Sequence, residues 1–217
     1  MSSQAGSARL GPRILKWLPV NNKNKNKTSN ATVSDHNKLQ RWKNSCKNYH
    51  QNLAFENNTT SLMIKNIPNK YTRKMLMQTL DVHCDVENKK IMNGSGNKSA
   101  YDFLYLPIDF RRRMNGGFAF VNFTNTEGAA RFRDAFNGKR WNVFESSKVA
   151  QISRAKIQGK EGLINNCKDM DFSHGLKEDM PVIFAPPREG FGHQLPSKMF
   201  TVGKYLPRRK YSRTTHA

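Results

Sequence analysis

The residues in this chain best suited to chemistry are two phenylalanines. In "GGFAFVNF", 116–123, strand alternation puts Phe118, Phe120 and Asn122 on one face and Ala119, Val121 and Phe123 on the other. A small sheet backed by helices buries one face. Two flat rings on the opposite face can stack unpaired nucleic-acid bases, worth about 1–3 kcal/mol per base. Other constellations are weaker. His83-Cys84 and the scattered histidines lack zinc spacing, so no metal site is expected. Asp102 and Asp109 flank a strand end and read as loop-capping groups rather than an acid/base pair. "NGSGNKS" lacks the G-K-[S/T] ending of a phosphate loop and leads into no helix, so it reads as a flexible loop. No nucleophile, base and orienting group can be assembled. The chain is therefore not expected to be an enzyme or to carry a cofactor.

Composition points the same way. The 217 residues carry a formal net charge of +21, and 36% are hydrophobic. Mean hydropathy is −0.77 and the pI about 10.2. Residues 1–58 and 185–217 together carry +14 of that charge. Such a balance suits a polyanionic partner, and the alternative is a cationic solubilising surface. No apolar run reaches the roughly 18 residues that span a bilayer, and no signal-peptide core follows the first methionine, so no membrane role is expected. Cys46, Cys84 and Cys167 are scattered and odd in number, which argues against a disulfide framework.

The elements that must position Phe118 and Phe120 lie between residues 59 and 156. "SLMIKNI" is a strand ended by Pro68, and Thr72 caps a helix to about His83. A polar, glycine-bearing loop follows, "ENKKIMNGSGNKSA". "YDFLYLPI" is the second strand and "DFRRRMNG" a basic loop into the third, the opening stretch. "TNTEGAARFRDAFNG" is a helix capped by Thr124 or Thr126, facing inward with Ala129, Phe132 and Phe136. "KVAQISRA" is the fourth strand. The order β-α-β-β-α-β is the split βαβ arrangement, an α+β ferredoxin-like fold: a four-stranded antiparallel sheet in order 4-1-3-2 with both helices on one face.

On the other face the expected RNA-binding residues are Phe118 and Phe120, with Met63 and Lys65 from strand one. Phe103 and Tyr105, alternating with Tyr101, come from strand two, and Gln151, Ser153 and Lys156 from strand four. The opening stretch matches seven of eight positions of the ribonucleoprotein signature K/R-G-F/Y-G/A-F-V-x-F/Y; Gly116 replaces the cation, and Arg111, Arg112 and Arg113 can supply that charge from the loop. Met63 stands where the partner signature has an aromatic, and methionine gives a weaker, less oriented contact. Single-stranded RNA suits such a face because its bases are splayed out.

The phrases "IPNKY", "YDFLYLPIDF" and "IQG" make residues 60–190 resemble the C-terminal RNA-recognition domain of the Mei-two-like family, and "PVIFAPPREG" is similar to its plant terminal-ear-like branch. The resemblance implies an RNA-binding regulator acting post-transcriptionally in meiosis or plant development. It also implies that aromatic stacking falls on Phe118 and Phe120.

The remainder is read as tails and an extension. Residues 1–58 form a disordered basic tail, with a transient helix in "LQRWKNSCKNYHQNLAF". Residues 157–190 form an extension containing a helix, closed where "PVIFAPPREG" turns the chain, and 191–217 a basic tail whose "PRRKYSR" suits nuclear placement. The helix, from about Lys156 to Lys168, needs a partner for Ile157, Leu163, Ile164 and Cys167. The favoured docking is along the sheet edge, with Lys156 and Lys160 toward phosphates; the alternative lays it over Phe118 or Phe120. Two function classes stand: a single-stranded RNA-binding module, and a protein-binding module on the same fold, reached through the helical face or the extension.

Overall fold

The computed structural model describes residues 58–91, 96–191 and 196–206. Four strands, β1 (Ser61–Lys65), β2 (Tyr101–Tyr105), β5 (Phe118–Phe123) and β6 (Gln151–Arg154), form an antiparallel sheet in order β6-β1-β5-β2, the arrangement expected from the sequence. Between β2 and β5, Pro107 ends the second strand early. Two short strands, β3 (Ile108–Asp109) and β4 (Met114–Asn115), then make a hairpin around the arginine loop.

The sheet does not stop at four strands. β7 (Val182–Arg188) pairs with β2, and β8 (Lys198–Thr201) pairs with β7. The segment "PVIFAPPREG", expected to be a turn, is thus a strand, and part of the stretch expected to be a basic tail is another. The register shows why. Phe103 faces Ile183 while Tyr101 faces Arg188, so three residues of β2 span six of β7. Pro186 and Pro187 sit in that bulge, where the ladder skips and their missing N–H groups cost nothing. A proline pair signals a break in sequence but here marks only the unpaired stretch.

Helix α1 (Arg73–Ile91) runs two turns past His83, and Thr72 caps it by accepting from the Met75 N–H at 3.2 Å. Its polar second half is anchored by one buried side chain. The Asn88 amide donates to the Ser99 carbonyl (2.9 Å) and the Glu189 carbonyl (3.0 Å) and accepts from the Ser99 N–H (2.6 Å). Helix α2 (Thr126–Phe136) is capped by Asn125 rather than Thr124 or Thr126: its side chain accepts from the Gly128 N–H at 2.8 Å.

Both helices cover one face of the sheet, burying Leu62, Ile64, Ala119, Val121 and Phe123 against Leu76, Leu80, Ala129 and Phe132, with Phe136 at the margin. His83 lies edge-on to Phe132 and Phe136, and burial lowers its pKa to about 4, so it is a neutral core-edge histidine. Burial likewise pushes the Cys84 thiol up to about 12. Among the described residues no cluster of metal-ligating side chains occurs, and no helix is long and apolar enough to cross a membrane.

Candidate nucleic-acid interface

The pairing of β1 with β5 sets Met63 opposite Phe120 and Lys65 opposite Phe118; β6 adds Ser153 beside Met63 and Gln151 beside Lys65, and β2 adds Tyr105 beside Phe120. Period-two geometry therefore gathers Met63, Phe103, Tyr105, Phe118 and Phe120 on the face away from α1 and α2. The Phe118 and Phe120 rings meet edge to face at 5.8 Å. Tyr101 does not join them. The bulge turns it to the helical side, where its hydroxyl donates to Asp81 Oδ1 at 2.8 Å.

This aromatic face is not open. Met63 is 7% exposed, Phe118 6% and Phe120 7%, and Phe103 and Tyr105 are buried as well. They pack with Leu163, Cys167, Phe172, Met180 and Val202 into a second core, in which Phe172 meets Tyr105 edge-on at 6.2 Å. Helix α3 (Lys160–Cys167) thus lies over the sheet rather than along its edge, correcting the favoured expectation; it also starts four residues later than expected. Burial pushes the Tyr105 phenol well up and the Cys167 thiol up to about 12, so neither ionises near neutrality.

Three anchors hold the cover down. At the strand exit, Gln158 Oε1 accepts from the Thr60 and Ser61 N–H groups (3.1 Å each), and its amide donates to the carbonyls of Ser61 (2.9 Å) and Ala155 (2.7 Å). Gly159 then turns the chain at φ +78°, a conformation suited to glycine, and its N–H donates to Ser61 Oγ at 2.9 Å. The Ser61 hydroxyl donates to Asn122 Oδ1 (2.7 Å), the Asn122 amide donates to Asp102 (2.8 Å), and Lys160 lies 3.6 Å from Asp102.

At the far end, Arg188 forms a bidentate pair with the buried Asp81, Nε–Oδ1 3.0 Å and Nη2–Oδ2 2.6 Å, while Nε also donates to the Tyr101 hydroxyl at 3.0 Å. That pairing raises the Arg188 pKa, keeping the guanidinium charged. Between them, Arg73 Nη1 donates to the Met180 carbonyl at 2.8 Å.

Sequence reasoning missed Thr60, Ser61, Gln158 and the inward role of Asp102. Its strand alternation did put Asn122 on the Phe120 face, and "IQG" stood out as a phrase. Asp109 does cap its loop, accepting from the N–H groups of Arg111 (3.1 Å) and Arg112 (3.3 Å). Replacing Gln158 by Ala strands the two N–H groups it satisfies; we expect a destabilisation of about 1–3 kcal/mol in urea unfolding. An unchanged midpoint contradicts the anchor.

Magnitudes decide whether bases displace this cover. Each large apolar side chain buried contributes about 1.5–3 kcal/mol, and Leu163, Phe172, Met180 and Val202 are joined by the rings beneath them. Two stacked bases return roughly 2–6 kcal/mol. The cover wins.

What stays accessible is polar. Arg111 and Arg112 are exposed, Gln151 is exposed, and Lys65 and Ser153 are half-buried. The end of β1 and the starts of β5 and β6 bring Lys65, Gln151 and the arginine hairpin to one end of the sheet. Arg113, in contrast, pairs with Asp179 at 3.2 Å and braces the extension. Lys156 is exposed at the opposite end, after β6. Gly116 has a steric reason for its departure from the signature: a Cβ there lies 3.1 Å from the Phe118 ring.

Against known proteins, residues 59–168, just over half of the chain, match the family model RNA recognition motif 2. The chain is 41% identical over 145 residues to the terminal ear1 homolog of Oryza sativa subsp. indica, covering 65% of this chain and 21% of that protein. It is 43% identical over 147 residues to protein MEI2-like 1 of Arabidopsis thaliana, covering 68% of this chain and 15% of that one. It therefore spans about a fifth or less of these relatives' length. The Rna15 RRM solved with bound RNA (GU) aligns at 18% identity and TM-score 0.35, over 49% of this chain and 93% of that chain. With the β-α-β-β-α-β core in place and the match spanning it together with α3, the chain belongs to the RNA recognition motif 2 family.

Proposed function

We propose that the chain binds single-stranded RNA through the polar rim of its sheet, and that it serves post-transcriptional control in plant development or meiosis. The observation that carries this reading is the basic end of the sheet, where Lys65, Gln151, Arg111 and Arg112 stay accessible beside a sealed aromatic face. Its setting in a +21 chain of an RNA-recognition family supports it. The rim supplies phosphate contacts and hydrogen bonds, while the buried Phe118, Phe120, Phe103, Tyr105 and Met63 set the rim's shape by holding the extension in place. The reading involves no catalysis and no cofactor. Nuclear placement belongs to the same proposal and rests on the basic ends of the chain. Residues 1–57, with the transient helix expected there, and "PRRKYSR" lie outside the described residues.

A salt titration of RNA binding tests it. Arg111→Gln with Arg112→Gln lowers affinity and reduces the log–log salt slope by about 0.7 for each phosphate no longer engaged, with thermal stability unchanged. Unaltered affinity and slope remove the rim from the reading. A protein that binds no single-stranded RNA at low salt favours the protein-binding alternative. That alternative draws support from the half-exposed Met199 and Phe200 on the outermost strand and from Val82 and Val86 on α1.

A further inference from the structure

The hairpin between α2 and β6 is the part of the domain that neither the aromatic face nor the rim explains. Its stem is built from the backbone: Ala150 N–H donates to the Lys139 carbonyl (2.7 Å), and Trp141 N–H to the Lys148 carbonyl (3.2 Å). At its tip Phe144 is 49% exposed and held at φ +57°, and Glu145 follows at φ +52°. Two successive non-glycine residues in the left-handed region are unusual, and a bulky ring there is a genuine outlier. Asn or Gly fits that backbone better, so stability alone does not explain a phenylalanine. Strain of this kind persists where the surrounding structure over-determines it, and it clusters at binding sites.

The ring is not loose. It packs edge-on against Tyr71 at 6.5 Å, and Tyr71 in turn meets Trp141 at 5.2 Å. Arg140, Trp141, Val143, Phe144, Glu145 and Ser146 are among the residues lining a recess of about 460 Å³. Trp141 is 6% exposed, and its buried indole N–H has no acceptor among the described residues. Arg140 is exposed. Lys148 holds its ammonium against two neutral oxygens, the Ile67 carbonyl (3.1 Å) and Asn69 Oδ1 (2.8 Å). Asn66 Nδ2 donates to the Val149 carbonyl at 3.1 Å, tying the hairpin to the chain directly after Lys65. The recess therefore adjoins the basic end of the sheet.

We propose that this hairpin is a second RNA-binding site, in which Phe144 stacks one unpaired base beyond the rim. Arg140 and Lys148 meet the flanking phosphates. The ring that the covered sheet cannot offer is offered here. The inference rests on the RNA-binding reading above and adds to it the place where a base is gripped.

The test uses the full chain and a labelled mixed-sequence single-stranded RNA of about 12 nucleotides, within the usual site range. Phe144→Asn keeps the backbone conformation and removes the ring. We expect binding about tenfold weaker, the effect of removing one stack, with an unchanged salt slope because every phosphate partner remains. Phe144→Trp keeps wild-type affinity. Ultraviolet crosslinking of the wild-type complex labels a peptide within 139–150. Wild-type affinity in Phe144→Asn, or an absent crosslink in that peptide, overturns the site. Equal losses of affinity in Phe144→Asn and Phe144→Trp overturn stacking as its basis. If the wild type binds and the Arg111/Arg112 variant weakens while Phe144→Asn does not, this site falls and the rim reading stands. If the wild type binds no RNA, both fall.

Discussion

Replacing Phe118 and Phe120 together by Ala is expected to unfold the domain, not merely to blunt its contact with RNA. Phe→Ala at a buried site costs about 3–5 kcal/mol, and the two rings are 6% and 7% exposed. They touch at 5.8 Å, so the two effects are coupled rather than additive. Even so, a destabilisation of roughly 5 kcal/mol or more is the whole stability of many domains, which lies at about 5–15 kcal/mol. Thermal or urea unfolding followed by near-ultraviolet circular dichroism checks it. A double variant that melts cooperatively at the wild-type temperature yet binds RNA weakly shows the rings to be accessible in solution. The cover then opens, and the face is an RNA platform after all.

Ending the chain after Ala155 is expected to do still more. It removes α3 and its Leu163 and Cys167, then Phe172, Met180 and Val202, and both outer strands. Phe103, Tyr105, Phe118, Phe120 and Met63 are left bare, and β2 becomes an unpaired sheet edge. Asp81 loses Arg188 while remaining buried beside Tyr101, and breaking a buried ion pair from one side costs about 3–5 kcal/mol in itself. The expected product lacks a cooperative melt, binds a hydrophobic dye and aggregates along the exposed edge. A truncated domain that stays monomeric, melts cooperatively and binds RNA more tightly identifies the extension as a lid. One that keeps its fold and its original RNA affinity leaves the extension with no part in either.

These two expectations differ from what the residues suggest when read along the chain. The period-two pattern in "GGFAFVNF" and the helical spacing of Ala129, Phe132 and Phe136 are local, and local patterns determine which side chains share a face. That is why the four-strand order, the two helices and the company of Phe118, Phe120, Met63, Phe103 and Tyr105 were legible. Tyr101 was not: it alternates perfectly with Phe103, and only the bulge opposite the proline pair turns it toward Asp81.

Whether the shared face is wet or dry was beyond any local pattern. Leu163, Phe172, Met180 and Val202 are separated in sequence from the rings they cover by about forty to a hundred residues, in stretches too short or too polar to announce a core. By itself the sequence determined a split βαβ sheet whose two central strands carry aromatic side chains away from the helices. It left two dockings of the following helix almost balanced, because its apolar residues needed a partner without saying which. Tertiary structure decided between them through long-range polar bonds: Gln158 on the start of β1 and Arg188 on Asp81 fix both ends of the extension. With both ends tied, the segment between them crosses the sheet, and the rings that looked like an RNA platform became a second hydrophobic core.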